Sequence, residues 1–205
     1  KPNPKPNRNT GIRPDPQPVF TDLTIGAFNI RRMGEGGKGK DWDRLAELIV
    51  SGDFDVFGAQ EVMTKPAAYE LLTNLNEEQS EVDSGSWQMI LSPVASGEWR
   101  YKEFFAFYYR VDAIEPSQNA EFCQTQYAWV GVASACFAKD LRSDGPDFER
   151  EPFVGYFQQG DEQIILVNVH VFYGSRDTED INRRKHEMTK INELLARLRT
   201  LHPRA

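Results

Sequence analysis

Asn29 and Glu61 stand at the polar ends of two short apolar runs, Leu23 to Asn29 and Phe54 to Gln60. If those runs are neighbouring parallel strands, an amide oxygen and a carboxylate meet at the edge where open α/β sheets gather ligands. That pair is a hard-oxygen donor set suited to magnesium or manganese. Each residue also has an ordinary reading, Asn29 as a turn residue and Glu61 as a solvated acid at a helix start. His170 closes another apolar run, Ile164 to His170. Imidazole as a group titrates near neutrality and suits protonating a leaving alkoxide or activating water, given a carboxylate to fix its tautomer. Glu103 is the candidate for that carboxylate, although a histidine at a strand end is more often a structural hydrogen-bonding group than a catalyst. Arg31 in the first loop and Arg150 at the entry to a later strand carry the fork that grips phosphate. Either could instead form an ordinary surface ion pair. His186 and His202, on a charged final helix and at its frayed end, receive no role.

The loop Gly34-Glu-Gly-Gly-Lys-Gly-Lys40-Asp41 fits the GxxxxGK spacing of a phosphate-binding loop between a strand and a helix. Its chemistry argues against that use. Asp41 stands where a magnesium-binding hydroxyl belongs, and Glu35 adds negative charge where phosphates would approach. It reads as a flexible Gly-rich turn. Cys123 and Cys136, the two cysteines, have neither redox-pair nor zinc-cluster spacing. They close one disulfide in an exported protein or remain two buried thiols in a cytosolic one.

These residues need strands and helices to position them. Leu23–Asn29 reads as a buried first strand. A helix follows from Asp41 to Val50, with Trp42, Leu45, Leu48 and Ile49 on one face and Asp41 as its cap. Phe54–Gln60 returns as a strand, and the β-helix-β order predicts parallel pairing. A second helix is expected over Pro66–Glu77. Strands are expected at Trp87–Ser92, Phe104–Arg110, Phe153–Gln158 and Gln163–His170, with a turn at Gly160-Asp161 between the last two. The closing helix, Asp177–Leu201, places Ile181, Met188, Ile191, Leu195 and Leu198 on one stripe. This is an α/β (α+β) order with one substantial core.

Residues 1–20 form a Pro-rich linker with almost nothing apolar, and residues 21–205 a single domain. The 205-residue chain is 40% hydrophobic and carries a net charge of −7. That charge argues against holding nucleic acid on a broad basic surface, because such binding rests on Lys and Arg displacing counterions. Brief, metal-assisted contact with a phosphodiester remains compatible with it. Nothing approaches the roughly 18 consecutive apolar residues of a membrane span, so no stable membrane insertion is expected. The chain begins at Lys1, and the linker points to a processed, secreted or periplasmic protein.

Read in order, Ala27-Phe28-Asn29-Ile30-Arg31, Gly34-Glu35, Gln60-Glu61-Val62, Tyr101-Lys102-Glu103, Arg150-Glu151-Pro152 and Val169-His170 resemble the successive motifs of deoxyribonuclease I, in the endonuclease/exonuclease/phosphatase superfamily. The resemblance runs from about Leu23 to Leu201. It implies a four-layer α-β-β-α sandwich and a divalent cation, Mg2+ or Mn2+ with Ca2+ a further candidate, held by Asn29 and Glu61. It also implies that His170, supported by Glu103, is the general acid or base, and that Arg31, Tyr101 and Arg150 contact a DNA phosphate backbone. The expected activity is endonucleolytic hydrolysis of a phosphodiester.

The pattern departs from the family at several points. Met63 stands where the well-known nuclease has an arginine that reaches into the minor groove. The stretch from Val111 to Phe148 is longer than its counterpart and reads as a loop that reshapes the substrate edge. The family's later Gly-Asp-x-Asn and Ser-Asp-His motifs have no match, so the fold is expected to lack its C-terminal strands and to expose sheet edges and apolar helix faces. On that reading the 205 residues alone are weakly active or inactive, and a further segment or chain completes the fold. Two alternatives stay open: a sphingomyelinase-like phospholipid phosphodiesterase, for which Tyr127-Ala-Trp129 would meet the membrane, and a catalytically incomplete binding or toxin-like module.

Overall fold

The computed structural model describes residues 23–34, 40–82, 85–97, 102–139 and 148–203. The Pro-rich segment, the Gly-rich residues 35–39 and Tyr101 lie outside this set.

The β-helix-β reading holds. β1 (Ile25–Met33) pairs in parallel with β2 (Val56–Val62), and α1 (Trp42–Ser51) crosses between them. Asp41 caps α1 by accepting the Arg44 N–H at 3.0 Å. α2 (Lys65–Val82) extends beyond the expected Glu77, and the Thr64 hydroxyl accepts an N–H of its first turn, from Ala67 at 3.3 Å. β3 (Trp87–Leu91) and β4 (Phe104–Arg110) complete a sheet in the order β1-β2-β4-β3.

The second sheet is built on β8 (Phe153–Gln159), which forms a hairpin with β9 (Glu162–Asn168) through Gly160, a left-handed position at φ +59°. Its other edge takes β5 (Glu115–Pro116) and β7 (Ala135–Ala138), and β6 (Ala128–Val132) pairs with β7. α3 (Thr178–Leu201) follows.

Alternating side chains join the layers. Phe105, Phe107 and Tyr109 of β4 meet Phe137, Phe153 and Phe157 in the core between the sheets. Ala106 and Tyr108 face the other way, into a core shared with Ala46, Ile49, Leu71 and Leu75 of α1 and α2. Val154 and Tyr156 of β8 turn outward to Leu194 and Leu198 of α3. Period-two alternation along β4 and β8 therefore builds the expected α-β-β-α layering. Gly155 permits close approach of the sheets, since a Cβ there would lie 2.6 Å from the Phe107 ring.

Several expectations need correction. β1 is an edge strand rather than a buried one, with Ile25 51% exposed, because it pairs on one side only among the described residues. Val111–Phe148 is not simply a loop: it contains β5, β6, β7 and a 3-10 turn at Glu121–Gln124. These elements are short, and burial along β6 does not alternate cleanly, so no period marks them. Leu48 is exposed and Ala46 takes its place in the core. On α3 the buried face is Glu187, Ile191, Leu194 and Leu198, while Ile181 and Met188 are exposed. His202 is not frayed. Its N–H donates to Leu198 O at 2.8 Å, and its buried ring lies 3.3 Å from the Tyr156 hydroxyl. Among the described residues no helix is long and apolar enough to cross a membrane.

Cys123 and Cys136 form a disulfide that ties the 3-10 turn to β7. Closing this short loop restricts the unfolded chain, so reduction is expected to cost about 2–4 kcal/mol. The drop in urea midpoint on adding a thiol reductant measures it. A shift within error would mean that the folded state gains nothing from the bond.

Candidate active site

The site begins where β1 and β2 stop being regular. Both carry bulges at their ends, between Asn29 and Met33 and between Ala59 and Val62. Arg31 (φ 40°), Arg32 (φ 54°) and Glu61 (φ 58°) all lie in the left-handed region, which costs a non-glycine residue about 1–2 kcal/mol. The distortion turns backbone donors onto the side chains. Arg31 N–H donates to Asn29 Oδ1 at 2.9 Å, and Arg32 N–H donates to Glu61 Oε2 at 2.8 Å. Asn29 Nδ2 in turn donates to Glu61 Oε1 at 2.8 Å. Strain at three neighbouring positions, each tied to a polar contact, marks a site the fold maintains at a cost.

His170 comes to this pair from the other sheet, two residues beyond β9. Its Nδ1 lies 2.8 Å and 3.0 Å from the two oxygens of Glu103. Its Nε2 faces Asn29 Nδ2 at 3.5 Å and Glu61 Oε1 at 3.9 Å. Glu103 is 1% exposed and also meets Arg150 Nε at 3.2 Å, so its buried charge is compensated. The structure thus brings Asn29, Glu61, Glu103, Arg150 and His170 together. Arg31 stands exposed at the rim, and Tyr101 lies outside the described residues.

Burial is the largest single influence on Glu61 and disfavours its charge. The hydrogen bonds from Asn29 and Arg32, with the nearby His170 and Arg150, outweigh it and hold the carboxyl below the ordinary glutamate range. A depressed folded-state pKa stabilises the fold above the unfolded value, about 4.3. That contribution is lost as pH falls through the folded value. Carboxyl NMR titration should find Glu61 titrating below that value, and Asn29→Ala should move it upward. An unmoved titration would remove Asn29 from the account.

A second layer escaped the sequence reading. Asn168, two residues before His170 and 4% exposed, donates to Ala59 O at 3.1 Å and Ala106 O at 3.2 Å. Its Oδ1 accepts from Gln60 Nε2 at 2.5 Å. It therefore pins β9 to β2 and β4, and a Cβ on Gly58 would lie 3.0 Å from its amide carbon. The available signal was a lone polar residue in an apolar strand, which must find partners once buried. Ser96 was also missed. It exchanges backbone hydrogen bonds with Glu103, both 2.9 Å, and its hydroxyl accepts the Glu151 N–H at 2.8 Å while donating to the Glu151 carboxylate.

Among the described residues no group of three or more His, Cys, Asp and Glu side chains could hold a metal ion. Glu61 supplies a carboxylate at the cleft. Asn29 turns its amide nitrogen toward Glu61, while its oxygen takes the Arg31 N–H. One carboxylate at the cleft is compatible with the sparse protein ligation that a magnesium-type ion accepts, and Glu61 is the residue that would hold it. It does not by itself meet calcium's demand for about six to eight oxygens.

No family model matches the chain, and no curated protein matches it. Several solved structures are similar, two of them as follows. An endonuclease/exonuclease/phosphatase family protein from Bacteroides thetaiotaomicron is 19% identical with a TM-score of 0.49, over 86% of this chain and 59% of that one. One from Leptotrichia buccalis C-1013-b is 16% identical with a TM-score of 0.46, over 83% and 61%. The chain spans about three-fifths of the length of each.

Proposed function

We infer that this chain belongs to the endonuclease/exonuclease/phosphatase superfamily and that its site acts in hydrolysis of a phosphodiester, with DNA as the substrate. The observation that carries the reading is the histidine held between two carboxylates. With Nδ1 donating to Glu103, the neutral imidazole presents the Nε2 lone pair to the cleft beside Asn29 and Glu61.

In hydrolysis a water oxygen bonds to phosphorus in line with the departing oxygen, the P–O bond to that oxygen breaks, and a proton passes from the water to the leaving group. Nε2 can take the water's proton while Glu103 holds Nδ1 and so orients the ring. Glu61 is the residue that would hold a magnesium or manganese ion, whose charge would offset that developing on the phosphoryl oxygens. Arg31 at the rim and Arg150 beside Glu103 supply positive charge for a phosphate chain.

Among the described residues, His170 is the imidazole that the structure places beside Asn29 and Glu61, and no partner acid for a poor leaving group is assigned. Hydrolysis of DNA by these 205 residues is therefore expected to be slow, and an activated diester such as bis(4-nitrophenyl) phosphate, whose leaving group needs no proton, is the sensitive probe. The disulfide is consistent with a secreted or periplasmic protein. The phospholipid reading is disfavoured at one point: the Tyr127 ring lies under Arg197, with Cζ 4.0 Å from its centroid, which leaves Trp129 as the exposed aromatic of that pair.

Magnesium or manganese should raise the melting temperature, because an ion bound only by the folded state shifts unfolding by mass action. No shift with either ion, together with no hydrolysis of the activated diester, would favour a binding module instead.

A further inference from the structure

Arg150 and His170 sit outside the sheet ladders, just before β8 and just after β9, so strand pairing does not hold them. A residue of α3 reaches both segments. Glu187, 3% exposed, accepts the Glu149 N–H on Oε1 and the Phe172 N–H on Oε2, each at 2.8 Å. These amides belong to the residue before Arg150 and to the second residue after His170. Arg183, one helical turn earlier, binds the Glu149 carboxylate and places its guanidinium carbon 4.2 Å from the Phe172 ring centroid. Glu149 is itself buried, at 7% exposure.

A buried glutamate in the body of a helix is uncommon and needs a compensating reason. Here the reason is specific to a carboxylate. Two N–H groups from different segments converge on its two oxygens, and no neutral side chain of the same size offers two acceptors in that geometry. A glutamine would turn a donor toward one of them.

We propose that Glu187, seconded by Arg183, is a positioning residue: it clamps the 149–150 and 170–172 segments to α3 and so sets the spacing of Arg150 and His170 on Glu103. The clamp touches no reacting atom. It acts by keeping the His170 ring on Glu103 with Nε2 aimed at the cleft, and its functional meaning rests on the phosphodiesterase reading above.

The test is NMR on the whole chain with Glu187→Gln and, in parallel, Arg183→Met, a side chain that is 39% exposed and expected to leave folding intact. Amide exchange at Glu149 and Phe172 should accelerate about 10-fold or more in Glu187→Gln, as expected when a buried N–H loses its acceptor, while Ala59 and Phe107 keep their protection. The His170 Nδ1 proton should exchange with water about 10-fold faster in both variants, and kcat for bis(4-nitrophenyl) phosphate should fall about 10-fold at unchanged KM. A residue that merely anchors the helix would lower stability while leaving the His170 proton and kcat per folded molecule at wild-type values, and that result overturns the proposal. If Glu187→Gln fails to fold, Arg183→Met decides on the same readouts. Absence of hydrolysis by the wild type counts against the phosphodiesterase reading alone, since the His170 signal still judges the clamp.

Discussion

Replacing His170 with alanine is expected to lower hydrolysis of bis(4-nitrophenyl) phosphate by about 10²–10⁴-fold, the usual contribution of a positioned acid-base group. The geometry behind this is the division of labour between the two ring nitrogens: Nδ1 is committed to Glu103, and Nε2 is left facing Asn29 and Glu61. On the proposed mechanism, removing the ring deletes the proton acceptor while leaving the carboxylate of Glu61 and its two donors, Asn29 Nδ2 and the Arg32 N–H, in place. The stabilisation by magnesium or manganese expected under the proposed function should therefore survive His170→Ala, which separates loss of chemistry from loss of the fold. A variant hydrolysing within a factor of about three of wild type would assign the proton transfer elsewhere, since a lost general base costs at least about 10².

The largest stability effect is expected at Glu103. Its side chain is 2% exposed, and it meets His170 Nδ1 at 2.8 Å and Arg150 Nε at 3.2 Å. Arg150 is itself only 11% exposed. Glu103→Ala removes the carboxylate that compensates this guanidinium in a place where water cannot replace it. Breaking a buried pair from one side typically costs about 3–5 kcal/mol. Glu103→Gln keeps the volume and one accepting oxygen and should cost less, so the difference between the two variants isolates the charge from the packing. Urea unfolding measures both. A loss under about 1 kcal/mol for Glu103→Ala would class the contact with exposed ion pairs and end the argument from burial.

The components of the site were legible in the chain because each occupies the end of a periodic element. An apolar run that stops at Asn29 or Gln60, or that leads up to His170, says where a strand leaves the core. The polar residue at that point is where chemistry can emerge. The parallel β1-α1-β2 unit and the β8-β9 hairpin follow from local signals of the same kind, a capped helix between strands and a glycine at the turn. Local signals failed where no period exists. β5, β6 and β7 are too short to declare themselves, and the inward face of α3 was misjudged because a buried glutamate, Glu187, sits where an apolar stripe would place Met188.

What the sequence by itself determined is therefore a set of candidates and their order, Asn29, Glu61, Glu103, Arg150 and His170, at the ends of apolar runs, while the two sheets between helices were expected from the family resemblance and not from any period. What only the tertiary structure decided is how those groups are oriented. The left-handed backbone at Arg31, Arg32 and Glu61, the amide of Asn29 turned nitrogen-first to Glu61, the anchoring of β9 by Asn168 and the grip of Glu187 on two segments all depend on atoms far apart in sequence. The disulfide belongs with them, since two cysteines bond only when the fold brings them within reach. The physical reason is common to all of these. Periodicity records which face of an element is buried, whereas a hydrogen bond between distant segments leaves no period, because burial requires only that each polar group find some partner.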